Sequence, residues 1–207
     1  MSKTLSLLSA LLCTFIWGTT FIAQDTGMDD IGPFTFNSVR FLLIRRFRGE
    51  SLHKVDTKGR VSVPAAFRRV LEEGDPDFSG GSSPNFVIVY GGVRGICLEG
   101  YTISSITKVD KLISKLPRFS RDREILERFI NTQSTYMQLD ETGRIVLSTR
   151  LKEKVGIKDE AIFAGMGEKF QIWEPKNYQN ELDALDISFN SLSEDENPFL
   201  KLDQLQD

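Results

Sequence analysis

The chain has 207 residues, 27% of them charged and 40% hydrophobic, with 26 Lys/Arg against 29 Asp/Glu. That length suits one domain or two small ones, and the composition excludes both a many-pass membrane protein and a wholly disordered chain. Two distant cysteines, Cys13 and Cys97, and one histidine, His53, argue against a disulfide framework, a metal cluster or histidine-based catalysis. No catalytic residue, metal or cofactor is therefore expected.

Charge divides the chain unevenly. Residues 1–43 carry Lys3 and Arg40 against Asp25, Asp29 and Asp30. Residues 44–72 hold eight Lys/Arg against Glu50, Asp56 and Glu72, a net +5, whereas residues 183–207 hold seven acids against Lys201, a net −6. The basic block is where an anionic partner would dock, or else simply a solvated charged face. The last stretch, 183–207, reads as an acidic disordered tail.

Taken in chain order, the first element is an uncharged run, Leu5–Ala23, rich in Leu, Phe, Ile and Thr. Its 19 residues reach about 28 Å as a helix, enough for one membrane span, so membrane association through residues 5–23 is an expectation. The stretch Phe15-Ile16-Trp17-Gly18-Thr19-Thr20-Phe21, then Pro33-Phe34-Thr35 and Val39-Arg40-Phe41-Leu42-Leu43, resembles the opening of EamA-type drug/metabolite transporters. Such a carrier needs many spans and the resemblance stops at Leu43, so residues 1–43 read as a fused or mis-joined piece without activity of its own.

An internal repeat follows. Val55-Asp56-Thr57-Lys58-Gly59-Arg60-Val61-Ser62-Val63 aligns with Leu139-Asp140-Glu141-Thr142-Gly143-Arg144-Ile145-Val146-Leu147 at an offset of 84 residues. The alignment continues from Ala66–Leu71 to Arg150–Val155; later the offset falls to 75, where a Pro/Gly/Ser-rich loop, 75–84, lengthens the first copy. Each copy reads as strand, tight turn, strand, short helix and hairpin. In the first copy these are Ser51–Val55, Asp56–Gly59, Arg60–Val63, Ala65–Glu72, and the pair Asn85–Tyr90 and Gly95–Gly100. Asp56 and Asp140 suit a turn start because the carboxylate accepts a backbone N–H two residues on, and Gly59 and Gly143 close the turn at positive φ. Pro64 suits a helix start and Gly156 a helix C-cap. Helical spacing marks Ile103–Leu116 and Arg121–Gln133 as a connector, and the second hairpin is Ala161–Gly165 with Lys169–Glu174. A copy of under about 60 residues has little core of its own and needs a partner.

Arg46-Phe47-Arg48-Gly49-Glu50, Asp56-Thr57-Lys58-Gly59-Arg60-Val61-Ser62-Val63-Pro64-Ala65, Asp140–Leu147, Tyr90-Gly91 and Phe170-Gln171-Ile172-Trp173 together resemble the MraZ family of bacterial regulators, over about Arg45 to Leu182. That family lies in the wider AbrB-like group of swapped-hairpin barrels. The resemblance implies an α+β, mainly β fold: two tandem swapped-hairpin β-barrel repeats (49–102 and 132–182) around a helical connector (103–131), preceded by one hydrophobic helix. It further implies a ring-shaped homo-oligomer in the cytoplasm and nucleoid. This ring would bind double-stranded DNA at direct repeats and regulate the division and cell-wall gene cluster.

The residues fit such a partner. Lys58 lies in a turn and Arg60 just beyond it, with Arg matched to guanine and Lys to phosphate. Arg60 and Arg144 each have a second reading, as an ion pair stapling the turn to the Asp four residues earlier. The DNA contact is preferred for Arg60. For Arg144 the staple is preferred, because its turn carries Glu141-Thr142 where the first carries Thr57-Lys58. Arg45, Arg46 and Arg48 add phosphate contacts, and Lys54 is counted with the DNA-binding residues. Arg68 and Arg69 read as a solvated helix face, and His53 as a part-buried barrel residue.

Overall fold

The computed structural model describes residues 46–79, 82–91, 95–192 and 197–199, all within one compact unit, Arg45–Asp207. The expected span over 5–23 and the transporter-like stretch 1–43 lie outside the described residues. Among the described residues, no helix is long and apolar enough to cross a membrane.

Among the described residues, eight strands and five α-helices follow one another. The first copy supplies β1 (Glu50–Lys54), β2 (Arg60–Ser62), α1 (Ala65–Gly74), β3 (Asn85–Val89) and β4 (Leu98–Thr102). The connector is α2 (Ile103–Ser114) and α3 (Arg121–Glu127), the latter running into a π-helical turn at Arg128–Thr132. The second copy supplies β5 (Ser134–Gln138), β6 (Arg144–Val146), α4 (Thr149–Val155), β7 (Glu160–Met166) and β8 (Lys169–Trp173), and α5 (Pro175–Asn190) closes the series.

Local chemistry accounts for these boundaries. Helix α1 buries Phe67, Val70, Leu71 and Gly74, an i, i+3, i+4, i+7 stripe. Pro64, in extended conformation, is its N-cap residue rather than its first helical residue. Thr102, Ser120 and Ser148 accept backbone N–H groups at the starts of α2, α3 and α4. Gly156, at φ +78°, ends α4 as a left-handed C-cap. Two expectations shift. The second strand of the first hairpin is Leu98–Thr102, not 95–100, because ladder pairing starts at Leu98, opposite Ile172, and runs on to Thr102, opposite Phe86. Residues 183–190, expected within the disordered tail, instead complete α5, whose start Glu174 caps by accepting from the Asn177 N–H.

The strands form a six-stranded antiparallel sheet in the order β1-β7-β8-β4-β3-β5 and a separate two-stranded ribbon, β2-β6. The order is palindromic with respect to the repeat. Strand β1 of the first copy pairs with β7 of the second (Leu52 opposite Ile162), and β5 of the second pairs with β3 of the first (Val87 opposite Tyr136). The ribbon likewise takes one strand from each copy, with Val61 opposite Ile145. The repeats at 49–102 and 132–182 are thus units of sequence whose strands interlock. Neither completes a sheet alone, which meets the need of a small copy for a partner.

One core results. Phe47, Phe67, Phe86, Phe163 and Phe170 are each at most 2% exposed, and the Phe170 ring lies 5.0–6.1 Å from the other four. Gly100 makes room for it: a Cβ there would stand 2.1 Å from the Phe170 ring. A second cluster, Val87, Val89, Tyr101 and Ile106, seals the outer face of β3 and β4 beneath α2, so β3 is buried on both faces. His53 points inward from β1, edge-on to the Phe163 ring at 5.4 Å, where burial lowers its pKa.

Candidate nucleic-acid interface

Both Asp-x-x-Gly-Arg turns fold by the same local logic. In the first, the Asp56 carboxylate accepts the backbone N–H groups of Lys58 (2.9 Å) and Arg60 (2.8 Å), and the Gly59 N–H donates to the Asp56 carbonyl (2.9 Å). In the second, Asp140 accepts the N–H groups of Thr142 (2.8 Å) and Arg144 (2.9 Å) and also the Thr142 hydroxyl (2.7 Å). Gly59 and Gly143 sit at φ +78° and +73°, the left-handed region such a turn requires.

These bonds tune the carboxyls. The Arg60 backbone N–H, then its side chain, hold Asp56 below the usual aspartate range; the Thr142 hydroxyl, then the Arg144 N–H, do the same for Asp140. Both turns are therefore locked by ionised aspartates at neutral pH.

The ribbon brings the turns together. The Leu147 N–H donates to the Gly59 carbonyl (2.8 Å) and the Val63 N–H to the Gly143 carbonyl (3.0 Å), so each turn is tied to the strand leaving the other. Val61 and Ile145 point into the core, while Arg60, Ser62, Arg144 and Val146 line the solvent face. Arg60 stands opposite Val146 and Ser62 opposite Arg144, which sets the two arginines diagonally on one face. A cleft beside them is lined by Lys54, Asp56, Arg60, Arg144, Asp159 and Glu160. The cleft thus sets three cations against three carboxylates and is not a uniform basic patch.

The turn staple forms at Arg60 and not at Arg144, the residue for which it was preferred. Arg60, preferred for a DNA contact, donates its Nε–H to Asp56 Oδ2 at 2.6 Å, a half-exposed ion pair that staples its own turn. Arg144, preferred as the staple, makes no side-chain hydrogen bond among the described residues and is exposed. The difference is chemical. In the second turn the Thr142 hydroxyl joins two backbone N–H groups on Asp140 Oδ1, whereas in the first Lys58 gives Asp56 only its backbone N–H and the Arg60 side chain takes Oδ2. Only the Nε of Arg60 is hydrogen-bonded among its side-chain nitrogens, and the side chain stays 44% exposed.

Lys54, Lys58, Arg60 and Arg144 share this end of the molecule, but Arg46 and Arg48 do not. They precede β1 at its far end, where Phe47 exchanges two backbone hydrogen bonds with Gly167 in the β7–β8 turn and Arg46 lies against that glycine. One cation was placed wrongly by the sequence reading. Arg69 is solvated as expected, but Arg68 is part-buried and lies against Gly143, in the turn of the other copy. Its place depends on how the copies interlock, which α1 alone does not reveal. Among the described residues, no group of three or more His, Cys, Asp or Glu is arranged to hold a metal.

Comparison with known proteins decides the family. A curated relative from Ruegeria pomeroyi, named transcriptional regulator MraZ, is 51% identical over 162 residues, 78% of this chain and 97% of that protein. The chain belongs to the MraZ family. A family model described as "MraZ protein, putative antitoxin-like" matches residues 130–201. Further MraZ regulators are similar: one from Ruegeria sp. is 49% identical over 77% of this chain and 96% of its own length, and one from Rickettsia bellii is 36% identical over 63% and 81%. The MraZ pattern read from the two turns and the Tyr90-Gly91 and Phe170–Trp173 segments therefore identifies the family correctly. The model match begins in the π-helical turn and extends beyond α5, so it takes in the whole second copy.

Proposed function

We propose that this MraZ-family chain is a sequence-specific transcriptional regulator whose ribbon face, with its two turns, binds double-stranded DNA. The observation that carries the reading is the placement of both Asp-x-x-Gly-Arg turns side by side, with Arg60 and Arg144 on one solvent face. Arg144 reads a guanine edge or a phosphate; Arg60 does so through its Nη nitrogens while its Nε holds the turn; Lys58 and Lys54 neutralise phosphates. The names of the relatives support regulation as the purpose of that binding.

The protein acts as a ring homo-oligomer in the cytoplasm and nucleoid, on direct repeats upstream of the division and cell-wall genes. A ring presents many turn faces at once, so modest contacts add through effective concentration. The sheet edges support assembly: β1 and β5 each have one unpaired side and carry Leu52 (55% exposed) and Tyr136 (78% exposed). Arg46 and Arg48, remote from the turns, serve a second stretch of backbone or a neighbouring subunit. The uncharged run 5–23 adds a separate expectation, membrane association of the full chain, which salt-washed membrane fractions test.

Fluorescence anisotropy of the full chain tests DNA binding, against a duplex from upstream of its own gene and a scrambled duplex. Tighter binding to the first, weakening steeply with salt, is expected. Equal and salt-insensitive binding would remove the ribbon face from the reading. Sedimentation velocity of the same sample checks for a closed oligomer.

A further inference from the structure

The second turn is poor in positive charge, with Glu141-Thr142 where the first has Thr57-Lys58. The structure fills that deficit from the other copy. Arg68, on α1 of the first copy, lays its side chain across Gly143, so that a Cβ at that glycine would stand 2.3 Å from Arg68 Nη1, 2.6 Å from Cδ and 2.9 Å from Cζ. Only glycine leaves this seat open, quite apart from its φ of +73°. The Nε of Arg68 is sealed from solvent with no hydrogen-bond partner, and no acid pairs with the guanidinium among the described residues. Buried donors without an acceptor are rare in folded proteins; this one leaves the guanidinium unneutralised, with its outer nitrogens, which are not sealed, open to an anion.

We propose that Arg68 is a phosphate-binding residue of the second turn, supplied across the repeat to do there what Lys58 does at the first. The proposal rests on the reading that the turn face meets DNA. Seated on the Gly143 backbone, the guanidinium is held in place before the phosphate arrives, and little side-chain freedom is lost on contact. It lies on the turn's backbone rather than projecting from the tip, so it senses the phosphate chain and not base identity.

The test compares the full-length wild type with Arg68→Met, which keeps an unbranched stem over Gly143 but removes the charge, and with Arg68→Lys, which keeps the charge. Circular dichroism melts verify folding, and Arg68→Gln replaces the Met variant if that does not fold. Against upstream and scrambled duplexes, Arg68→Met is expected to bind both about tenfold more weakly. Its plot of log affinity against log salt should be shallower by about one phosphate's worth, with Arg68→Lys restoring the wild-type slope. An Arg68→Met protein with wild-type affinity and slope overturns the proposal. So does an affinity loss with an unchanged slope, shared by Arg68→Lys, which would mark Arg68 as a packing residue. A wild type that binds neither duplex overturns the turn-face reading itself.

Discussion

Arg60 holds two positions at once: its Nε–H is committed to Asp56 at 2.6 Å while the side chain stays half-exposed. Replacing it with Ala removes the turn staple and, on the proposed function, a DNA contact, so upstream-DNA affinity should fall roughly ten- to hundredfold in an anisotropy titration. Arg144→Ala removes only the ligand contact, so its loss should come without a change in melting temperature. The aspartates bring a pH dependence whose sign follows from their depressed pKa values. The folded turns bind fewer protons than the unfolded chain, so their contribution is fully present above the ordinary aspartate range of about 4 and fades as pH falls through the lower folded values. Carboxyl NMR titration should give midpoints for Asp56 and Asp140 below that range, and Arg60→Ala should raise the Asp56 midpoint. Gly59→Ala would meet both a φ of +78° and the Leu147 carbonyl oxygen 2.3 Å from the new Cβ. Urea denaturation should show it destabilised by at least about 1–2 kcal/mol.

Most of the elements were legible from the residues that start and stop them. The turns, α1, the cap at Gly156, and the β7–β8 hairpin follow from side chains acting within a few residues. Helix α5 was missed because its residues 183–190 carry the acids Asp183 and Asp186 and bury no side chain, so neither polarity nor periodicity marked them. The repeat held a usable signal: at the later offset of 75, α2 maps onto residues 178–189, within α5. Interlocked pairing was implied by family resemblance alone, because an alternating strand carries no mark of its neighbour's identity. The consequence for packing is testable at Phe170, which joins rings from β3, α1, β7 and the segment before β1. Phe170→Ala should cost about 3–5 kcal/mol. Because the core is shared, chemical denaturation followed by tryptophan fluorescence and by far-UV circular dichroism should still give one coincident transition.

At the scale of the molecule, what evaded the sequence was proximity across the copies: the diagonal of Arg60 and Arg144, the seat of Arg68 on Gly143, and the distance of Arg46 and Arg48 from both. The charge profile placed the basic block in one stretch of chain, whereas the fold sends Arg46 and Arg48 to the end of β1 away from the turns. Separately expressed 45–131 and 132–207 should stay unfolded alone and regain native circular dichroism on mixing, since each lacks the strands that complete its sheet.

The palindromic strand order also governs when the sheet can close during synthesis. Strand β1 leaves the ribosome early, but its partner β7 lies more than a hundred residues downstream, as Glu50 opposite Ala164 shows. At ordinary elongation rates the nascent chain holds β1 unpaired for roughly 6–20 s, and β3 waits similarly, though more briefly, for β5. The half-made protein thus displays open strand edges in a crowd of identical nascent chains. Two neighbours on one message can donate β5–β8 to each other as readily as each can to itself. The subunits that enter an assembly could then be exchanged at birth rather than docked after folding.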